Sequence, residues 1–227
     1  MPQPLYRQVY DTVLARITGG DLRAGAMLPN EFDLGAEMGV SQGTARKALI
    51  ELERAGVVER RQGRGTFVTT TTEDRALFHF FRLRHPDGTP AIPEPLSESV
   101  IRRRARAEDR PLDSAHVFEI TRIRAIEGRP AMHERIVVPA ELFPGLPDRT
   151  PLSNALYVLY EGAYGIRIAR ADETLRAVTA EEGDPLASPG SPLLEVQRKA
   201  HALTGRLVEM RWSQYDTART GYAVTLT

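Results

Sequence analysis

The step Gly39-Val40-Ser41 separates two short helix-forming stretches, and it constrains the fold more tightly than any other feature of the chain. Upstream, Asn30 suits a helix N-cap, Asp33 stands in the capping-box place, and the run from Leu28 to Val40 is broken by Gly39. Downstream, Ser41 caps a second helix in which Ala45, Ala48, Leu49 and Leu52 recur at helical spacing before Gly56 stops it. Two helices joined by a tight glycine turn make a helix-turn-helix. Val57 to Arg61 then alternates as a strand, Gln62-Gly63-Arg64-Gly65 supplies a turn, and Thr66-Phe67-Val68 returns. The spacing predicts a winged helix. Ahead of it, Leu5, Val9, Val13 and Ile17 form an apolar stripe on a first helix that Gly19-Gly20 ends.

The exposed face of the Ser41-capped helix carries Gln42, Thr44, Arg46 and Lys47, groups that read base edges and hold phosphates in a major groove. A solvated helix with two basic residues is common, so the helix by itself decides little; the neighbouring helix and wing favour DNA binding. Formal net charge is zero over 227 residues, which argues against a nonspecific nucleic-acid coat protein but not against a site-specific reader. Such a protein can concentrate its cations locally, here Arg46, Lys47, Arg60, Arg61 and Arg64, with Glu31, Asp33 and Glu37 expected one helix away.

After Val68 the run Thr69 to Asp74 is polar and aperiodic, and beyond it the period changes. We divide the chain into a DNA-binding domain at 1–69, a linker at 70–76 and a second domain at 77–227. In the second domain Leu77–Leu83 reads as a strand and Pro86-Asp87-Gly88 as a turn, while Ala91–Pro95 is Pro-interrupted and extended. Val117–Ile126 and Pro130–Val138 read as a hairpin about Glu127-Gly128, and Leu152–Ala163 has helical spacing. Ile166–Val178, Pro192–Leu203, Leu207–Tyr215 and Tyr222–Leu226 are further strands. The expected class is α+β, mainly antiparallel sheet. Arg122 and Arg124 share one strand face, as do Glu209, Arg211, Ser213 and Tyr215. Arginines and carboxylates on one cleft would clamp an anion bidentately; the same pattern also describes a solvated face with surface ion pairs.

The order Leu28-Pro29, Glu31, Gly39-Val40-Ser41, Thr44, Arg46, Ala48-Leu49, Gly56-Val57-Val58 and Gln62-Gly63, Gly65-Thr66-Phe67-Val68 resembles the N-terminal domain of GntR-family bacterial transcription regulators. The resemblance implies operator contacts at Gln42, Gly43, Thr44, Arg46 and Gly63, beside which we place the neighbouring cations Lys47, Arg61 and Arg64. Many members carry arginine where this chain has Phe32 and Gln42, and since glutamine pairs bidentately with adenine, Gln42 predicts an operator shifted toward A·T. Further on, Arg122-Ile123-Arg124, Gly128-Arg129-Pro130, Glu134, Phe143-Pro144-Gly145-Leu146, Leu156-Tyr157, Pro192-Leu193-Leu194, Arg198, Val208-Glu209 and Tyr215 are similar to the effector-binding domain, called UTRA, of the HutC-type branch. That domain resembles the chorismate-lyase fold, and by position its ligand contacts fall on Arg122, Arg124, Glu134, Tyr157, Glu209 and Tyr215.

No cysteine is present, which removes disulfides and thiolate metal sites. Five histidines lie at no metal-ligand spacing, so neither a metal nor another cofactor is expected. The N-terminus lacks a signal-peptide pattern, and no run approaches the roughly twenty apolar residues of a membrane span. The expectation is a cytoplasmic homodimer that binds operator DNA and a small-molecule effector, represses a catabolic or transport operon, and is released by a small anionic metabolite. Two alternatives stand beside it: a lyase-like enzyme, although no nucleophile-base pair is evident, and constitutive DNA binding without a ligand.

Overall fold

The computed structural model describes residues 3–69 and 82–224. The expected linker at 70–76, all but the end of the Leu77–Leu83 strand, His79 and the last residues of the chain lie outside the described residues.

The N-terminal domain comprises α1 (Leu5–Thr18), α2 (Glu31–Glu37), α3 (Gln42–Arg54) and a hairpin of β1 (Val58–Arg61) with β2 (Gly65–Val68). Val9 and Val13 of α1 meet Leu34, Ala45, Ala48, Leu49 and Leu52 in one core, closed beneath the wing by Val57, Val58 and Val68. Each leucine so buried contributes about 1.5–3 kcal/mol. The two caps form as the sequence predicts: Ser41 Oγ accepts from the Thr44 amide at 3.2 Å, and Asn30 Oδ1 accepts from Phe32 and Asp33 at 3.0 and 2.9 Å. Asp33 departs from the capping box. Its carboxylate accepts from the Asn30 side-chain amide at 2.6 Å, being one methylene shorter than the glutamate that normally reaches back to the backbone. The turn between α2 and α3 also depends on Gly35, where a Cβ would stand 3.0 Å from the Val40 carbonyl oxygen.

The C-terminal domain is a six-stranded antiparallel sheet in the order β4-β5-β6-β9-β8-β7. Its strands are β4 (Glu94–Arg104), β5 (His116–Ile126), β6 (Arg129–Pro139), β7 (Ile168–Thr179), β8 (Pro192–Ala202) and β9 (Leu207–Tyr215). A small pair, β3 (Leu83–Arg84) with β10 (Gly221–Tyr222), lies outside this sheet. The helix α4 (Leu156–Tyr164) packs on Phe118, Ile120, Ile136 and Phe143. The α+β class stands, with three adjustments. The segment read as merely extended up to Pro95 opens an eleven-residue strand, β4, whose residues are mostly exposed because it is a sheet edge; a strand with no buried face has no apolar alternation to read. The helix begins at Leu156 rather than Leu152, since residues 151–155 form an irregular segment over the sheet. The last strand is confined, among the described residues, to Gly221–Tyr222.

Candidate functional site

Two sites emerge, one on each domain. On the winged helix, the Ser41 cap leaves Gln42, Gly43, Arg46 and Lys47 exposed on the first turns of α3, with Thr44 half-buried and its hydroxyl 2.9 Å from Ser41 Oγ. Gln42 shares an open cleft with Phe32 and with Arg61, Gly63 and Arg64 of the wing. Lys47 turns toward α1, its Nζ 4.1 Å from the Tyr6 ring centroid. Arg61 lies over Phe67 and donates to Glu59 at 2.7 Å.

One expectation needs correction. Glu31 does not stand apart from the cations: its carboxylate accepts from Arg46 Nε at 2.8 Å and from Arg60 Nη2 at 3.2 Å, which ties the start of α2 to both α3 and the wing. As the first residue of α2 it sits against the recognition helix, a proximity that spacing along the chain does not reveal. Such exposed pairs contribute about 0–1 kcal/mol each, so the arginines can exchange the carboxylate for a phosphate at small cost.

On the sheet domain the register places charged residues side by side. Arg122 on β5 opposes Glu134 on β6, which opposes Ser213 on β9; one step along, Arg211 on β9 opposes Arg198 on β8, which opposes Glu173 on β7. Glu134, 1% exposed, accepts from Arg122 at 3.0 Å and Arg211 at 2.9 Å, with Arg124 at 3.6 Å. Glu209, fully buried, accepts from Tyr157 at 2.9 Å, Tyr160 at 2.8 Å and the Arg211 guanidinium at 2.9 and 3.0 Å. Arg198 donates to Glu173 at 2.7 Å, and Arg124 donates to the Pro93 carbonyl at 2.9 Å and to Asn154.

Burial opposes ionisation of Glu134, but Arg122, Arg211 and Arg124 outweigh it and hold the carboxyl well below its ordinary range. Glu209 is lowered in the same way, burial being outweighed by Arg211 and Arg198. Burial, opposed by Glu134, pulls Arg124 down to about 10, so it stays charged at neutral pH. Burial and then the Glu209 charge push Tyr157 and Tyr160 up, and both therefore remain hydrogen-bond donors.

These groups surround a narrow cleft with an accessible volume of about 20 Å³, room for about one water molecule. Of the residues singled out from the sequence, Glu134, Tyr157 and Tyr215 line it, whereas Arg122, Arg124 and Glu209 lie behind the wall and hold the lining groups in place. The lining also includes Arg82, Asn154, Arg198 and Arg211, which were not chosen as site residues. Arg211 was legible as a face-mate of Glu209 and Tyr215. Arg198 becomes visible only when β8 is paired with β9, and Asn154 lies in an aperiodic segment. Among the described residues, five guanidiniums, of Arg82, Arg122, Arg124, Arg198 and Arg211, thus meet three carboxylates, of Glu134, Glu173 and Glu209.

The two domains touch through the end of α4. Two residues beyond its terminal Gly165, Arg167 donates to the carbonyls of Gly56 at 2.7 Å, Thr69 at 2.9 Å and Val57 at 3.3 Å, the backbone at the base of the wing. The Leu203 amide donates to the Arg167 carbonyl at 3.1 Å, and Leu203 itself packs on the winged-helix core.

The comparisons with known proteins agree with this architecture. The model of bacterial regulatory proteins of the gntR family matches residues 5–68, and that of the UTRA domain matches residues 100–220. The transcriptional regulator SmoD of Agrobacterium fabrum is 28% identical over 219 residues, 94% of this chain and 92% of that protein. MngR of Escherichia coli, the mannosyl-D-glycerate transport/metabolism system repressor, is 30% identical over 228 residues, 95% of this chain and 92% of that one. Among solved structures, the ligand-binding domain of a GntR-family regulator from Bordetella bronchiseptica aligns with TM-score 0.59 and 31% identity, covering 66% of this chain and 98% of the other. PhnF of Mycobacterium smegmatis shares the fold at TM-score 0.54 and 23% identity, over 96% of this chain and 99% of the other. The relatives are transcription regulators rather than enzymes. With these two domain matches in this order, the chain belongs to the GntR family of DNA-binding transcription regulators with a UTRA effector-binding domain.

Proposed function

We propose that this regulator is a homodimeric repressor released from its operator by a small polyhydroxylated anion bound in the arginine cleft. The observation that carries the reading is the concentration of guanidinium groups about the cleft: among the described residues five arginines gather around Glu134, Glu173 and Glu209, a setting in which an anionic ligand would be held by charge-assisted hydrogen bonds. Arg82 and Asn154 would meet the anion once the cleft widens to admit it, while Tyr157, held from behind by Glu209, would orient a hydroxyl group. Support comes also from the name of MngR, whose mannosyl-D-glycerate joins a sugar to a carboxylate. Gln42, Gly43, Thr44, Arg46 and Lys47 on α3, with Arg61, Gly63 and Arg64 on the wing, would contact one operator half-site. Dimerisation through the sheet domains, where the edge strand β4 exposes Leu96 and Ile101, would place two readers on a near-palindrome in the cytoplasm.

Coupling between the sites has a physical route. Tyr160 of α4 bonds Glu209 behind the cleft, its carbonyl accepts from Ile166 at 2.9 Å, and the next residue, Arg167, holds the base of the wing. An anion that shifts α4 would alter the grip of Arg167 and so the relative affinity of the two domain arrangements for DNA. The test is fluorescence anisotropy of the full chain on its upstream DNA, with a panel of sugar acids, phosphosugars and neutral sugars. Release by one anion, diminished in Arg82→Gln and Asn154→Ala, is the expected result. Release by a neutral sugar alone would overturn the anion assignment. Arg167→Ala should bind both ligands yet lose most of their mutual effect; undiminished coupling would rule out this route.

A further inference from the structure

Among the described residues of the winged helix Phe32 is the most exposed large apolar side chain, at 68%, and Met27 on the same cleft is 62% exposed. Folding does not explain the ring, because burial is what stabilises a phenylalanine and this one remains in water. Its position is nevertheless fixed. As the second residue of α2 its amide donates to the Asn30 cap at 3.0 Å, and the Glu31 carboxylate next to it is tied to α3 and to β1 through Arg46 and Arg60. The ring therefore projects from a rigid helix start into the cleft it shares with Gln42, the first residue of the recognition helix, and with Gly63 at the wing tip.

Arg60, Arg61 and Arg64 line this cleft against Glu31 and Asp33, a net positive setting that suits DNA, and the major-groove edges of the bases are polar apart from one group, the thymine methyl. Gln42, ten residues further on but lining the same cleft, carries the amide that pairs with adenine. An A·T-rich half-site would offer adenine to Gln42 and a methyl to Phe32 from the same or a neighbouring pair. We propose that Phe32 is a specificity-determining residue that packs on the 5-methyl group of a thymine in each operator half-site. This rests on the regulator reading above and specifies what its DNA-binding site recognises.

The test uses the full chain and an operator obtained by selection from random duplexes. Each thymine is replaced in turn by deoxyuridine, which removes the methyl and leaves every hydrogen-bonding group in place. At one position per half-site the replacement should weaken wild-type binding by about 3- to 10-fold, the scale of losing one apolar contact. Phe32→Ala should bind the thymine operator with the same deficit, show no further loss on the deoxyuridine duplex, and melt at the wild-type temperature because the ring is exposed. Phe32→Leu should retain most of the methyl effect. If no thymine discriminates wild type from Phe32→Ala, or if the variant loses affinity equally on both duplexes, the methyl contact is refuted and the ring instead touches sugar or acts as a wedge between base steps. Selection that enriches no duplex with the wild type would overturn the regulator reading itself, and this contact with it.

Discussion

The candidate reading face of the winged helix and the arginine cleft of the sheet domain both pair arginine with glutamate, but with opposite energetics. On the winged helix, Glu31 holds Arg46 and Arg60 at 2.8 and 3.2 Å with the arginine side chains about half exposed, so water screens each pair and either arginine can leave for a phosphate. Inside the sheet domain, Glu134 and Glu209 hold Arg122, Arg124 and Arg211 at similar distances with almost no exposure. There the desolvation of each charge is large, and the network is stable only while every member keeps its partners. Distance alone does not distinguish the two; burial does. The exposed pairs keep a set of cations loosely positioned for a polyanion, whereas the buried network rigidly defines one small cationic space.

The largest effect that sharpens this contrast is on stability. Glu134→Gln strands Arg122, Arg124 and Arg211 without their shared charge and should cost about 3–5 kcal/mol in urea unfolding, against less than about 1 kcal/mol for Glu31→Gln. Equal costs would erase the distinction. Next comes acid. The folded-state pKa values of Glu134 and Glu209 are depressed, so their contribution is complete above the unfolded carboxyl value of about 4.3 and is lost as pH falls below it toward the folded values. The urea midpoint of the sheet domain should therefore drop between about pH 5 and pH 3, and the drop should be shallower in Glu134→Gln; among its described residues the winged helix buries no carboxylate, and its midpoint should change less. A smaller effect concerns DNA. Arg46→Ala should weaken operator binding similarly across sequences and reduce the salt slope by about 0.9, while Glu31→Gln, which removes a competing anion, should tighten binding by a few-fold. Weaker binding by Glu31→Gln would mean that the carboxylate positions the arginines rather than restrains them.

How much of this could be read beforehand differs between the two regions for a local reason. The winged helix is written in short-range signals: the Asn30 and Ser41 caps, the Gly39 break and the apolar spacing of Ala45, Ala48, Leu49 and Leu52 act within a turn or two of themselves, and the helices lie where those signals put them. Its tertiary surprise was Glu31, close to Arg46 and Arg60 only because α2 folds back on α3 and the wing. The cleft was legible one strand at a time, through period-two alternation that put Arg122 with Arg124 and Glu209 with Tyr215. Strand register decided the rest. It set Arg198 against Arg211, and the packing of α4 and the segment before it brought Tyr157, Tyr160 and Asn154 over the sheet. By itself the sequence determined most of the helices and strands, though not the exposed edge strand β4, and which face of several strands carries charge, because those properties depend on neighbours along the chain. Only the tertiary structure decided which charges are buried together, which arginines line the cleft and which support it from behind, and that Arg167 grips the wing, because those depend on contacts between residues scores of positions apart whose strength is set by how completely water is removed.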